Sequence, residues 1–247
     1  RAATSLYGSD LPQVRLVSIG DVMPQFGQAA ADRFGYERTD SDWRRIADDP
    51  KIQAVSVVVA NHLHREIVEG LLAAGKHVLC EKPLSDTLDD ARSMVAAADG
   101  SKSIARIGLT FLRNPAIAAI KNIVASGQLG KVLHFSGNYW ADYSSDPMSP
   151  ISWRYKGGNG TGALADVGSH ISYVAEFITG KPFSAVSGAR FVTSITERPV
   201  PAGAVQGHSV ATSSDKFEAV ENDDYAGFVA DFSGVAGAIQ VSRVASG

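Results

Sequence analysis

Glu81-Lys82-Pro83 directly follows an apolar, strand-like run, His77-Val78-Leu79-Cys80, so the sequence sets a lysine at the carboxyl end of a strand and not on a helix face. A lysine facing a crevice can anchor hydroxyl groups, and partial desolvation beside other charges lowers its proton affinity. The competing reading is a solvated lysine before a proline turn. Asp166 and His170 stand four apart in a helical stretch, 163–170, which predicts both side chains on one helix face. A carboxylate beside an imidazole orients it and raises its proton affinity, which suits a general base near neutral pH. An exposed ion pair has the same spacing. The glycines at 157, 158, 160, 162 and 168 instead point to close backbone approach.

Asp21 also follows a strand-like run, where a carboxylate can accept hydrogen bonds from ribose hydroxyls or simply form a turn and cap the next helix. A Gly-x-Gly-x-x-Gly loop would belong about 20 residues earlier, before Arg1. Asn61-His62-Leu63-His64 ends a further strand. Its two histidines point apart and have no third ligand near them in sequence, so no metal is expected. The better reading is Asn61 lining a cofactor site, with His64 capping or packing beside it. Trp153-Arg154-Tyr155 offers a planar ring and a fixed cation, or a structural aromatic anchor. Cys80 reads as a buried strand residue.

The elements that must position these groups alternate through the first hundred residues. Strand-like runs at 14–19, 54–59, 77–80 and 104–109 are separated by helix-like runs at 24–34, 41–49, 64–74 and 87–98, the rhythm of a parallel α/β sheet. Gly35 and Gly75 close two of the helices, Pro50 stops another, and Thr87 to Asp90 forms a capping-box-like start. The unbroken apolar run at 54–59 predicts a strand buried on both faces. A helix at 115–126 precedes a change of texture. Strand candidates at 132–143, 185–195, 225–232 and 236–244 then surround one clear helix at 163–178, which predicts antiparallel pairing. Residues 199–215, rich in Gly, Pro, Ser and Ala, read as a mobile loop. The expected fold is therefore a Rossmann-like doubly wound parallel sheet over residues 1–112 and an α+β domain with an open, mainly antiparallel sheet over 113–247.

Composition bounds the rest. With 23 Lys and Arg against 26 Asp and Glu, the formal charge is −3, and no basic cluster offers a phosphate footprint, so nucleic acid is not an expected partner. No stretch of about 20 apolar residues is present to span a membrane. A single cysteine fits a reducing compartment, and a cytoplasmic location is expected.

Residues 16–21, 60–64, 75–83, Trp153-Arg154 and 162–170 together resemble the glucose–fructose oxidoreductase/inositol dehydrogenase (Gfo/Idh/MocA) family of NAD(P)-dependent oxidoreductases. The resemblance implies a catalytic constellation of Lys82, Asp166 and His170. It places Asn61, Glu81, Trp153 and Arg154 around the cofactor, beside Lys82. From their own positions after strands, His64 and Asp21 join the expected cofactor set, and the Asp21 carboxylate, with no cation in Val22-Met23-Pro24, favours NAD over NADP. The resemblance implies a nicotinamide cofactor, a sugar or cyclic polyol as substrate, and a homo-oligomer built through the C-terminal sheet. An NAD-dependent glycosidase of the same fold and a non-catalytic sugar or cofactor sensor are the alternatives. Ala60 stands where the family commonly has proline. The family's first strand and glycine loop would precede Arg1, and further C-terminal strands would follow Gly247, so the chain alone is expected to bind nicotinamide cofactor poorly.

Overall fold

The computed structural model describes residues 14–158, 160–203 and 213–245. Its contacts divide the chain into two units: residues 1–57, 65–79 and 94–106 form one, and residues 58–64, 80–93 and 107–247 form the other.

The α/β alternation runs β1 (Ser18–Gly20), α1 (Pro24–Phe34), β2 (Arg38–Asp40), α2 (Trp43–Asp48), β3 (Ala54–Val57), α3 (His64–Ala73), β4 (His77–Cys80), α4 (Leu88–Gly100) and β5 (Ala105–Ile107). Local signals set the helix boundaries. Pro24 sits in the first turn of α1, Gly35 closes it, the Asp42 carboxylate caps α2 by accepting from the Arg44 N–H, and Thr87 Oγ1 accepts from the Asp90 N–H at the start of α4. β1 and β2 pair in parallel, Ser18 opposite Arg38. A second sheet has the order β3-β4-β5. Its bonds from the His77 N–H to the Gln53 carbonyl and from the Val78 N–H to the Ile104 carbonyl are 2.9 and 2.8 Å long. α3 and α4 supply the crossovers that such a sheet needs. Ile46, Ile52, Val68, Leu71, Leu72 and Val78 are buried in this part of the fold. Lys76 is buried with them, and its Nζ donates to the backbone carbonyls of Asp49 and Ile52 at 2.6 and 2.8 Å, which replaces its hydration.

Two expectations are corrected here. The run at 54–59 is not one strand buried on both faces: pairing ends at Val57, Ala54 and Ser56 are exposed, and Val58 and Val59 leave the strand to line a cleft. The first strand is regular only over Ser18–Gly20, although the carbonyls of Leu16 and Val17 still accept from the Glu37 and Arg38 N–H groups at 2.9 and 3.1 Å.

In the second unit, α5 (Pro115–Ala125) leads to β6 (His134–Trp140), and a π-helical turn, Leu164–Gly168, continues directly into α6 (Ser169–Thr179). Then follow β7 (Ala185–Val192), β8 (Glu197–Pro201), β9 (Ser213–Ala219), β10 (Tyr225–Asp231) and β11 (Ala236–Ser242). The four-stranded sheet has the order β6-β11-β10-β7. β10 pairs antiparallel with both β7 and β11, but β11 runs parallel to β6, so the sheet is mixed and not antiparallel throughout. The parallel pair is possible because more than ninety residues, α6 among them, separate β6 from β11, where a hairpin could not reach. Ala163, Val167 and Ala175 of the helical segment pack with Ala226, Phe232, Ile239 and Val241 in one buried cluster. The expected loop at 199–215 is corrected at both ends: β8 and β9 pair antiparallel, with an irregularity between Pro199 and Pro201 that suits residues lacking an N–H, while residues 204–212 lie outside the described residues.

Candidate active site

β4 delivers Cys80 into the interior and the next residues into a cleft. Burial, with the Glu81 charge beside it, pushes the Cys80 thiol up to about 12, which removes it as a nucleophile at neutral pH. Glu81 Oε2 accepts from the Lys82 N–H at 3.0 Å, and the Lys82-Pro83 peptide is cis. His64 fixes this loop from behind. Its Nδ1 faces the carbonyls of Pro83 and Leu84 at 3.1 and 3.2 Å, and its Nε2 faces the carbonyl of Val59 at 3.1 Å. With both nitrogens occupied by backbone and no exposed surface, His64 has nothing left to offer a cofactor directly; it ties the Val59 and Pro83 segments together.

Lys82 Nζ donates to Asp166 Oδ1 at 2.7 Å and to the Asp166 backbone carbonyl at 2.9 Å. That carbonyl lies in the π-helical turn, a distortion frequent at functional sites, and also accepts from Ser169 Oγ at 3.1 Å. Tyr143 donates to the other carboxylate oxygen, Oδ2, at 2.6 Å. Burial alone would raise the Asp166 pKa, but the Lys82 charge and the hydrogen bonds from Lys82 and Tyr143 hold it below the ordinary carboxylate value. Gly162 makes this turn possible: its φ is +86°, and a Cβ there would collide with the Asp223 carboxylate, which caps the helix by accepting from the Leu164 N–H at 2.8 Å.

His170 follows on α6, half-buried against the rings of Phe111, Tyr139 and Tyr173, with the Phe111 centroid 4.7 Å away. Its Nδ1 is 2.7 Å from the Tyr173 hydroxyl. Burial first, then the Lys82 charge, pushes its pKa below 6.5, against the smaller pull of Asp166 and Glu81. The spacing of Asp166 and His170 predicted a mutual pair with a raised imidazole; instead both carboxylate oxygens turn to Lys82 and Tyr143, and the imidazole takes a phenol. The change of helical pitch within Leu164–Gly168 separates the two side chains' partners.

The cleft holds about 370 Å³, within the range of small-molecule sites. It is lined by Val58, Val59, Asn61, Glu81, Lys82, Trp153, Arg154, Thr161, Asp166 and Arg243, together with Ala60, Pro83, Gly160 and Gly162; His170 is not part of the lining. Asn61 is buried and donates from Nδ2 to the Gly160 carbonyl at 2.8 Å, and the Arg154 guanidinium lies over the Trp153 ring at 4.5 Å. Asp21 lies in the first unit, where its Oδ1 accepts from the Met23 N–H at 2.8 Å, the turn-forming role that the sequence left open beside the ribose contact.

Three residues of the site escaped sequence reasoning. Tyr143 and Arg243 are brought in by tertiary structure, with no local motif to mark them. Buried Arg243 binds the Asp224 carboxylate at 2.8 Å and donates to the Arg154 carbonyl at 3.2 Å, which steadies the segment carrying Trp153 and Arg154. Tyr173 had a signal, since it lies three residues beyond His170 on the same helix.

A cleft of mixed donors and acceptors, entered by a strand-end lysine that a half-buried carboxylate holds, together with crossover α/β topology, defines a Rossmann-type oxidoreductase. Residues 3–109 match the oxidoreductase family with an NAD-binding Rossmann fold, and residues 117–247 match the Gfo/Idh/MocA C-terminal domain. The chain belongs to the Gfo/Idh/MocA family of oxidoreductases. It is 36% identical over 232 residues, 93% of its length, to levoglucosan dehydrogenase of Pseudarthrobacter phenanthrenivorans, of which it spans 59%. It is 25% identical over 180 residues, 73% of its length, to scyllo-inositol 2-dehydrogenase (NAD(+)) of Bacillus subtilis, of which it spans 51%. Among solved structures, levoglucosan dehydrogenase in complex with NADH and levoglucosan superposes with a TM-score of 0.87 at 35% identity, over all of this chain and 63% of that one. An oxidoreductase domain protein from Kribbella flavida gives 0.84 at 36% identity, over 94% of this chain and 60% of that one.

Proposed function

We propose that this chain forms the larger part of an NAD-dependent dehydrogenase that oxidises a secondary alcohol of a sugar or cyclic polyol, with an anhydrosugar such as levoglucosan as the first substrate to test. The observation that carries the reading is the Lys82–Asp166 pair on the cleft wall: an ammonium aimed by a carboxylate at 2.7 Å, with a second N–H on the Asp166 carbonyl, offers its one remaining N–H to a substrate oxygen. The NADH and levoglucosan held by a 35% identical relative support the choice of ligands. In this reading residues 1–112 are the dinucleotide-binding domain and 113–247 the substrate domain.

Asn61, Glu81, Trp153 and Arg154 fit a nicotinamide riboside: the buried amide and the carboxylate suit an amide and hydroxyls, and the indole offers a flat face. When bound, NAD supplies the hydride acceptor. His170 receives the hydroxyl proton, which its lowered pKa allows because the ring is mostly neutral at pH 7. Lys82 steadies the negative charge that develops on the substrate oxygen, and Asp166 with Tyr143 fixes the direction of Lys82. His64 and Arg243 act at one remove by holding the loops that carry these groups. The exposed face of β6 and β10, with Trp140 stacked on Tyr225 and Val229 open to solvent, supports self-association through the C-terminal sheet. Among the described residues no helix is long and apolar enough to cross a membrane, and we place the enzyme in the cytoplasm.

Assaying the full-length protein with NAD against anhydrosugars, inositols and aldoses, followed by absorbance of reduced nicotinamide, tests the proposal. Turnover on one of these with an oxidised sugar as product supports it. Absence of turnover across the panel, or a cleaved glycoside as product, overturns it.

A further inference from the structure

The Tyr173 hydroxyl sits between three hydrogen-bonding groups. The Phe111 backbone N–H donates to it at 3.4 Å, the Thr110 side chain hydrogen-bonds it, and His170 Nδ1 is 2.7 Å away. A phenol has one proton and two lone pairs. The Phe111 amide can only donate, so it takes one lone pair. One lone pair and one proton are then shared between Thr110 and His170, which leaves two arrangements. In the first, Tyr173 donates to Nδ1 and accepts from Thr110, and neutral His170 carries its proton on Nε2. In the second, Nδ1–H donates to the Tyr173 oxygen, Tyr173 donates to Thr110 Oγ1, and Nε2 presents a free lone pair.

Only the second arrangement makes His170 a base. We propose that Tyr173, backed by Thr110, is a positioning residue that accepts the Nδ1–H of His170 and thereby frees Nε2 for the substrate proton. This rests on the dehydrogenase reading and adds to it the hydroxyl pair that sets the tautomer. When the substrate O–H bond breaks, the proton goes to Nε2. The resulting imidazolium keeps its Nδ1–H on the Tyr173 oxygen, and the Tyr173 proton stays on Thr110 Oγ1, so no other group need gain or lose a proton. That contact becomes charge-assisted in the imidazolium and so stronger than its neutral counterpart. Lys82, Asp166 and Glu81 are the charged groups that act on the ring, and Phe111 and Tyr139 are the other rings packed against it. Among the described residues the Tyr173 hydroxyl is the hydrogen-bonding partner of Nδ1, Phe111 and Tyr139 meeting the imidazole as ring contacts, so without that hydroxyl the Nδ1–H loses its partner in a half-buried site.

The test is Tyr173→Phe in the full-length protein, which keeps the ring beside His170 and deletes the hydroxyl. With NAD and the best substrate, kcat should fall about tenfold, the effect of losing one hydrogen bond made in the transition state. KM should stay within about twofold, and the acid limb of kcat/KM should move to lower pH. Thr110→Val should change kcat in the same direction and by less. ¹⁵N imidazole spectra of His170 report the tautomer whether or not turnover is found: Nδ1–H should dominate the neutral wild type and give way to Nε2–H in Tyr173→Phe. Should Tyr173→Phe fail to fold, Thr110→Val carries the same spectroscopic test. Unchanged tautomer populations overturn the inference, as does an active Tyr173→Phe enzyme with wild-type kcat and pH profile. Absence of turnover by the wild type would instead count against the dehydrogenase reading.

Discussion

Lys82, Asp166 and His170 divide the work differently from what their spacing suggests. Asp166 spends both carboxylate oxygens on Lys82 and Tyr143, so its charge serves to aim and retain an ammonium. His170 is left with a pKa set mainly by burial and by the Lys82 charge. A base that must be neutral to act then works from slightly acidic pH upward. We expect kcat/KM for alcohol oxidation to be level at neutral pH and to fall on the acid side, with a midpoint below the ordinary histidine value of 6.5. The sign follows from the lowered pKa: protonation disables the base, and lowering the pKa delays protonation to lower pH. A pH–rate profile on the best substrate checks this, and an acid limb centred above 6.5 would show that Asp166, not burial and Lys82, governs the ring.

At the scale of elements, the site depends on how one helix begins. Gly162 at φ +86° lets the chain turn under the Asp223 carboxylate, and the π-helical turn that follows carries the Asp166 carbonyl that Lys82 binds. Gly162→Ala forces both a left-handed alanine and a collision with the cap, and should cost about 3 kcal/mol. Gly35→Ala is the control: it shares the positive φ, 79°, but a Cβ there meets nothing within 4 Å, and about 1 kcal/mol is expected. Urea unfolding of the two variants compares them, and equal losses would show that the Asp223 contact contributes nothing. The α/β alternation was legible because β-branched runs and helix punctuation such as Pro24, Gly35, Thr87 and Gly75 are local signals. Glu81-Lys82-Pro83 was legible for the same reason, as a charged segment abutting an apolar strand. The β6–β11 parallel pair, Tyr143 and Arg243 were not, since each depends on residues tens of positions apart in sequence. The π-helical turn was hidden too, because 163–170 has ordinary helical composition and the insertion shows only in its hydrogen bonds.

For the whole molecule, the chain spans about three-fifths of the levoglucosan dehydrogenase that it matches, and the activity proposed here belongs to the full-length protein. Cofactor choice is a property of that protein as well. Asp21 follows β1 directly and is itself followed by Val22-Met23-Pro24, which supplies no cation, so a 2′-phosphate would meet uncompensated negative charge while a free ribose hydroxyl would find an acceptor. We expect a higher kcat/KM with NAD than with NADP, and a clear NADP preference would reassign Asp21 to turn formation alone. The central claim is that Lys82 and His170 act directly on the substrate oxygen and its proton. The most direct measurement is steady-state turnover of Lys82→Ala and His170→Ala beside the wild type, with NAD and the best sugar or polyol, after circular dichroism has shown each variant folded. The account predicts a loss of about 100-fold or more in kcat for both. Wild-type kcat in either folded variant would contradict it.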